Sequence, residues 1–280
     1  MFLFHTIKDL RNYLYQQRKL GKSVGFVPTM GALHAGHVSL IEAAKKANDL
    51  TVCSIFVNPI QFNNPDDLAR YPRTLTTDCT LLENAHCDAV FAPNAEEMYP
   101  EKTALRFDFG DLERVMEGQF RPGHFNGVAL VVSKLFHIVQ PDRAYFGQKD
   151  LQQVAVVRRM VVDLGFQMEL HSCPTLRETD GLAMSSRNTN LTADERPAAA
   201  HIFKALTLAK QLLLAGQQPQ EVRQAVVAYF ATIAAFRLEY FEIVNAHSLQ
   251  PVAQMPPQGE TALCVAAHLG KVRLIDNFVF

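Results

Sequence analysis

A chain of 280 residues, 48% of them hydrophobic, is long enough for one large or two modest domains, and a fold of this size buries roughly 75% of the surface its unfolded chain exposes. Its 27 basic and 28 acidic residues are interspersed and leave a formal charge of −1, so no broad cationic field exists to hold a nucleic-acid backbone. The five cysteines (Cys53, Cys79, Cys87, Cys173 and Cys264) form no CxxC pair and fall mostly in apolar runs, which argues for reduced core residues and against a disulfide framework or a zinc site.

The apolar start, Met1-Phe2-Leu3-Phe4, is interrupted at once by His5 and is too short for a signal peptide. No run reaches the ~18 apolar residues of a membrane span. A cytoplasmic protein without a membrane partner is expected. Thr6 as N-cap and Gly21 as stop frame a first helix marked by Leu10, Tyr13, Leu14 and Leu20. Strand-like runs at residues 24–27, 51–57, 89–92, 143–146 and 168–171 then alternate with helix-like runs at 38–48, 75–84, 127–139 and 151–164. That alternation predicts an α/β fold, a Rossmann-like doubly wound parallel sheet covered on both faces, with ligands outside the carboxyl ends of the strands. Farther on, helices are expected at 192–215 and 219–235, and strands at 239–244, 261–268 and 272–276. Leu269-Gly270-Lys271 turns the last two into a hairpin. The expected organisation is one domain over residues 1–175 and a smaller α+β C-terminal domain over 176–280. Residues 217–220 and Pro256-Pro257-Gln258-Gly259 read as loops.

Two distant stretches look built for a nucleoside triphosphate. In Val27-Pro28-Thr29-Met30-Gly31-Ala32-Leu33-His34-Ala35-Gly36-His37, the two histidines fall where a strand turns into a helix. Glycines let the backbone approach a ligand there, and the helix N-terminus favours phosphate. Neutral or protonated imidazoles beside it donate hydrogen bonds to phosphoryl oxygens. The alternative, a metal pair, lacks the usual i, i+4 spacing and a nearby acid. In the second stretch, Gly181-Leu182-Ala183-Met184-Ser185-Ser186-Arg187-Asn188, two hydroxyls and a guanidinium suit several phosphate oxygens at once, though a simple turn would also use them.

Other loops follow strands, where such a sheet presents its ligand-binding residues. Asn58-Pro59-Ile60-Gln61-Phe62 offers Gln61 as donor and acceptor for a small polar substrate. In Gly147-Gln148-Lys149-Asp150-Leu151-Gln152-Gln153, Lys149 can neutralise phosphate, Asp150 can bind a ribose hydroxyl or cap the helix, and Gln153 can share a pocket with Gln61. Each of these taken alone is better explained by a solvated side chain or a helix cap. Tyr71-Pro72-Arg73-Thr74 and Arg121-Pro122-Gly123-His124-Phe125 are rigid turns carrying a cation, either plain surface or part of an anion site.

In this order and over nearly the whole chain, these motifs resemble the pantothenate synthetase family of the HxGH nucleotidyltransferase superfamily. HxGH and SSRN alone would point only to the wider group, which includes class I aminoacyl-tRNA synthetases; the NPIQF and KDxQQ segments make the match specific. The resemblance implies ATP-dependent condensation of (R)-pantoate with β-alanine to pantothenate, AMP and pyrophosphate through an enzyme-bound pantoyl adenylate, with Mg²⁺ on the phosphates, and a homodimer. By motif position it implies an ATP site of Met30, Gly31, Ala32, Leu33, His34, Ala35, Gly36, His37, Gly147, Gln148, Lys149, Asp150, Leu176, Met184, Ser185, Ser186 and Arg187. His34, His37, Lys149, Ser185, Ser186 and Arg187 would carry the chemistry. Gln61 and Gln153 would hold pantoate, with Gln61 also serving β-alanine. The chain departs from the family pattern at Gln148, where glutamate is expected, and at Leu130 and His137.

A carboxylate with a pKa of about 4 is ionised at neutral pH, so adenylate formation needs no general base. The rivals are another small-molecule nucleotidyltransferase of the HxGH group, which would call for extra cations near Gln61 and Gln153 to hold a phosphorylated acceptor, and a nucleotide-binding regulator that releases no pyrophosphate.

Overall fold

The computed structural model describes residues 1–254, 257 and 259–280; of the expected loop at 256–259, Pro256 and Gln258 lie outside the described residues. Six strands, β1 (Phe2–Phe4), β2 (Val24–Thr29), β3 (Leu50–Ile55), β4 (Ala89–Phe91), β5 (Arg143–Gly147) and β6 (Glu169–Cys173), form one sheet in the order β1-β4-β3-β2-β5-β6. Every pairing in it is parallel. Between these strands run α1 (Ile7–Lys19), α2 (Ala35–Ala47), α3 (Pro65–Arg70), α4 (Leu75–Asn84), α5 (Ala95–Met98), α6 (Met116–Phe120), α7 (His124–Val139) and α8 (Leu151–Asp163).

Strand residues alternate between two buried faces, because successive side chains point to opposite sides. Phe26, Val52, Phe91, Ala144 and Phe146 pack with Leu10 and Leu14 of α1, Phe136 of α7 and Val157 of α8. Val27, Cys53, Val90 and Tyr145 pack on the other side with Leu40 and Ile41 of α2 and Leu82 of α4. The chain builds outward from β2 through β3 to β4, then returns to place β5 on the opposite side of β2. The order therefore reverses between β2 and β5, and a crevice opens beyond their carboxyl ends. The HxGH turn leaves β2 and the Gly147-Gln148-Lys149-Asp150 turn leaves β5, so the topology alone brings those two motifs together.

Past β6 come α9 (Glu195–Ala199), α10 (His201–Leu214) and α11 (Pro219–Ala231), and then an antiparallel sheet of β7 (Phe236–Asn245), β8 (Thr261–Leu269) and β9 (Val272–Val279) in that order. Leu206 and Ala209 of α10 and Val226 and Phe230 of α11 cover one face of this sheet, against Ile243, Leu263 and Val265. Its other face, through Val244, Ala262 and Cys264, meets Met116 of α6.

Most expected elements are present, and several bounds need correction. The strand at Phe2–Phe4 is an addition; it pairs with β4 through backbone groups while Phe2 stays 59% exposed, so it has no buried periodicity to read. The single helix expected at 192–215 is interrupted at Ala200, which separates α9 from α10. Thr192 does open the run, exchanging hydrogen bonds with Glu195. The next helix ends at Ala231 instead of 235, and the outer strands are longer than expected, starting at Phe236 and ending at Val279. All five cysteines are free.

Candidate active site

The turn after β2 is shaped by a buried carboxylate. Asp78 of α4 accepts from the Ala32 N–H at 3.0 Å and the Leu33 N–H at 2.8 Å, and Thr74 Oγ1 donates to it. With the turn fixed, His34 becomes the N-cap of α2: its Nδ1 accepts from the Gly36 N–H at 3.1 Å, while Nδ1 of His37 accepts from the His34 N–H at 3.3 Å. This is a capping box made of two imidazoles. A Cβ at Gly36 would stand 2.9 Å from Cε1 of His34, so the ring folds over a position that only glycine leaves open. Both rings lend Nδ1 as an acceptor, which leaves the proton of each neutral ring on Nε2. Burial lowers His34 to about 4, with Lys149 adding to the effect, and burial together with the His34 ring 4.1 Å away lowers His37 to about 3. At neutral pH the motif presents two Nε2–H donors and no positive charge, which narrows the sequence expectation to the neutral form.

Four further segments complete the cavity. The turn after β5 contributes Gly147, Lys149 and Asp150, the last two with Nζ and Oδ1 3.5 Å apart. Gln153, one turn into α8, also lines the wall, as does neighbouring Gln152, whose amide is held by the Leu112 and Val115 carbonyls and the Glu117 N–H. From the strap after β6 come Leu176, Met184, Ser185, Ser186 and Arg187; Ser185 caps a short 3₁₀ turn at Ser186–Asn190, and Arg187 lies 3.5 Å from Asp67 of α3. Gln61 ends the 3₁₀ turn Pro59–Gln61 with its amide set on both sides: Oε1 accepts from buried Asn58 at 3.1 Å, and Nε2 donates to Sδ of Met30 at 3.0 Å. Asn58 is itself held by the Gly127 carbonyl and the Tyr99 hydroxyl.

Met30, His34, Gly36, His37, Gln61, Gly147, Lys149, Asp150, Gln153, Leu176, Met184, Ser185, Ser186 and Arg187 thus line one cavity. Gly31, Ala32, Leu33, Ala35 and Gln148 do not reach its wall. Gly31, Ala32 and Leu33 form the turn behind it, Ala32 and Leu33 have given their N–H groups to Asp78, and the Leu33 side chain is in the core. Gln148 contributes a carbonyl that accepts from Asn277. Two departures from the family pattern are likewise remote from the wall: Leu130 is buried in α7, and His137 bonds its own helix at Ser133. Sequence reasoning misses or leaves open Tyr71, Glu117, Arg121, His124, Tyr240, Asp276 and Asn277, all on the wall. Arg121 and His124 belong to a turn whose role the sequence alone does not decide. Tyr240, Asp276 and Asn277 come from the C-terminal sheet, and no local spacing connects them with the HxGH turn.

Hydrogen-bond donors, a lysine turn and a Ser-Ser-Arg strap converging at the switch point of a doubly wound sheet define a nucleotide-binding α/β enzyme of the HxGH kind. The pantoate-β-alanine ligase family model matches residues 2–279. The chain is 49% identical over 280 residues to a pantothenate synthetase of Bacteroides thetaiotaomicron, covering 100% of this chain and 99% of that one. It superimposes on the crystal structure of pantothenate synthetase from Thermus thermophilus with a TM-score of 0.94 at 45% identity, covering 100% and 99% of the two chains. A pantoate-β-alanine ligase of Francisella tularensis, solved in complex with beta-gamma ATP and β-alanine, matches with a TM-score of 0.82 at 35% identity over 100% and 97% of the chains. The chain belongs to the pantoate-β-alanine ligase family, and its reaction is the pantothenate-forming ligation.

Proposed function

We propose that the cavity binds ATP against the HxGH turn and the Ser-Ser-Arg strap, and pantoate beside Gln61 and Gln153, and that the ligation runs through a pantoyl adenylate. One observation carries this reading: side chains from widely separated stretches, cationic or donor groups together with two glutamines, line a single cavity. The Francisella tularensis relative's complex with beta-gamma ATP and β-alanine supports those two ligands here. The pantoate carboxylate, ionised at neutral pH, attacks the α-phosphorus; a carboxylate O–P bond forms and the P–O bond to the β-phosphate breaks. His34 and His37 donate through Nε2–H, and Lys149, Ser185, Ser186 and Arg187 neutralise the charge gathering on the transferring and leaving phosphates. The β-alanine amine then attacks the carbonyl carbon, its nitrogen loses a proton, and AMP leaves with the former carboxylate oxygen.

Mg²⁺ enters with the triphosphate as Mg-ATP. Among the described residues no group of His, Cys, Asp or Glu could hold a metal ion by itself. Of the carboxylates on the wall, Glu117 and Asp276 are engaged by arginines at 2.6–2.8 Å, whereas Asp150 has, among the described residues, only Lys149 at 3.5 Å and is the side chain that would reach the ion. The adenylate is an anhydride that water destroys, so closure belongs to the mechanism. We assign it to residues 63–73, which carry Tyr71 and the Asp67 partner of Arg187. The division into residues 1–175 and 176–280 and the homodimer are part of the same proposal, the latter tested by light scattering. A cytoplasmic location is also part of it; no helix among the described residues is long and apolar enough to cross a membrane.

Pyrophosphate release from Mg-ATP tests the reading. A limited burst with pantoate alone, becoming steady turnover with AMP and an amide product once β-alanine is added, is the expected result. Pyrophosphate release that proceeds at full rate without pantoate, or none at all from folded protein that binds ATP, would overturn it.

A further inference from the structure

The last strand of the chain touches both walls of the nucleotide cavity. Asn277 of β9 is 4% exposed, and its Nδ2 donates to the Gln148 carbonyl at 2.9 Å and to the Lys149 carbonyl at 2.8 Å. One primary amide nitrogen thereby holds two consecutive carbonyls of the turn that presents Lys149 and Asp150. No other small side chain supplies two donors from one atom at that reach: a hydroxyl has one and a carboxylate none. The neighbouring residue, Asp276, is 3% exposed and accepts from both terminal nitrogens of Arg177, at 2.6 and 3.0 Å. Arg177 also donates to the Gly181 carbonyl at 3.0 Å and to the Asn277 carbonyl at 3.2 Å, and its guanidinium lies against the rings of Phe203 and Phe278, 4.9 and 4.8 Å from their centroids. Gly181 opens the segment that carries Ser185, Ser186 and Arg187. One dipeptide therefore fixes the lysine turn through Asn277 and the Ser-Ser-Arg strap through Asp276.

We propose that Asn277 is a positioning residue for the ligation: it holds the Gln148-Lys149 turn so that the Lys149 ammonium meets the transferring phosphates, and Asp276, through Arg177, sets the opposite strap at the matching distance. The proposal rests on the reading of Lys149 given above. Two consequences separate it from a merely structural role. Its loss falls on the step that uses Lys149, so the turnover number drops while the KM for pantoate, held by Gln61 and Gln153, stays as it was. Its effect also vanishes once Lys149 is gone, because two residues acting through one group do not combine multiplicatively.

The experiment is a double-mutant cycle on the full chain with Asn277→Ala and Lys149→Ala, read as steady-state turnover and as pantoate KM, beside thermal melts of each variant. Asn277→Leu, which keeps the bulk, cannot donate and adds no charge, repeats the cycle should Asn277→Ala not fold. A displacement of the ammonium by about 1 Å is expected to cost on the order of 10- to 100-fold in turnover, with no further loss when Asn277→Ala is added to Lys149→Ala. Full turnover in both Asn277 variants overturns the proposal, as does a loss that multiplies undiminished on the Lys149→Ala background. Lys149→Ala with normal turnover defeats the reading of Lys149 itself, and the positioning role with it.

Discussion

His34 and His37 each lend Nδ1 to a backbone N–H, and that single commitment determines their tautomer, their charge and their chemistry. A donor aimed at phosphate is worth most where water is excluded, and both rings are buried enough to hold their pKa values at about 4 and about 3. His37→Ala is expected to lose on the order of 10²–10³ in turnover, as for removal of one oxyanion donor, and about 1 kcal/mol of stability from the lost cap. Steady-state turnover beside urea unfolding checks both, and near-normal turnover would remove His37 from the mechanism. The same values make the rings acid-labile elements of the fold. Their folded-state pKa lies below the reference value of 6.5, so between pH 6.5 and about 4 the unfolded chain binds protons that the folded chain refuses. Stability from these groups is present above pH 6.5 and is lost as pH falls toward their folded values. A His34→Gln, His37→Gln double variant should therefore lose less stability between about pH 7 and about pH 5 than the parent chain. Equal losses in urea midpoints would show that the rings are not held neutral by the fold.

Helix α7 shows how a neighbouring element sets the position of Gln61. It packs so closely on the Pro59–Gln61 turn that a Cβ at Gly127 would stand 2.6 Å from the Gln61 Cα and 2.8 Å from the Ile60 carbonyl oxygen. Backbone cannot rotate away as a side chain can, so Gly127→Ala must push the turn outward. Overpacking of this kind costs about 1–3 kcal/mol, and the displaced Gln61 should raise the pantoate KM about tenfold while the ATP KM changes little. Unchanged pantoate dependence would detach Gln61 from that substrate. This scale also shows what could be read from the sequence. Helices α2, α4 and α8 and strands β2 to β5 were legible because each buries one face or both, and burial writes a period into the chain. Strand β1 was not, because an edge strand of three residues held by backbone hydrogen bonds needs no period. The HxGH turn, the lysine turn and the Ser-Ser-Arg strap were legible as local motifs. Asp78 was not, although it shapes the first of them, because its partners Ala32 and Leu33 lie more than forty positions away.

The C-terminal sheet meets α6 across a buried ionic network, and its logic belongs to the whole molecule. Arg273 of β9 donates to both carboxylate oxygens of Glu117 in α6, at 2.7 and 2.8 Å, and its Nε donates to Glu239 of β7 at 2.8 Å. The Tyr240 hydroxyl adds a bond to Glu117 at 2.9 Å, and His268 faces Glu239 at 3.1 Å. Burial would raise the Glu117 carboxyl, but the hydrogen bonds and charge of Arg273, with Arg121 and Tyr240, bring it down to about 2. No sequence window holds this network, whose members are up to 156 positions apart. It matters to the site because Arg121, 3.5 Å from Glu117, reaches the cavity wall from the same cluster. Arg273→Ala leaves two carboxylates buried near one another with no guanidinium between them, a loss expected to cost about 3–5 kcal/mol. Arg273→Met, which also fills the space, should cost no less, because the uncompensated charges and not the missing volume set the penalty. Adding Glu117→Gln and Glu239→Gln to Arg273→Met should then recover much of the loss, since apolar or neutral replacement of a whole buried network is tolerated far better than removal of one partner. Urea unfolding of the three variants orders them; a triple variant no more stable than Arg273→Met would mean that packing, and not charge, joins α6 to the C-terminal sheet. The folded pKa of Glu117 lies below its reference value of 4.5, so its contribution is complete above pH 4.5 and drains away as pH falls through about 2. Glu117→Gln alone should accordingly flatten the acid limb of the stability curve in that window. The difference between the parent chain and Glu117→Gln there should depend little on salt, because a buried pair is screened far less than one at the surface.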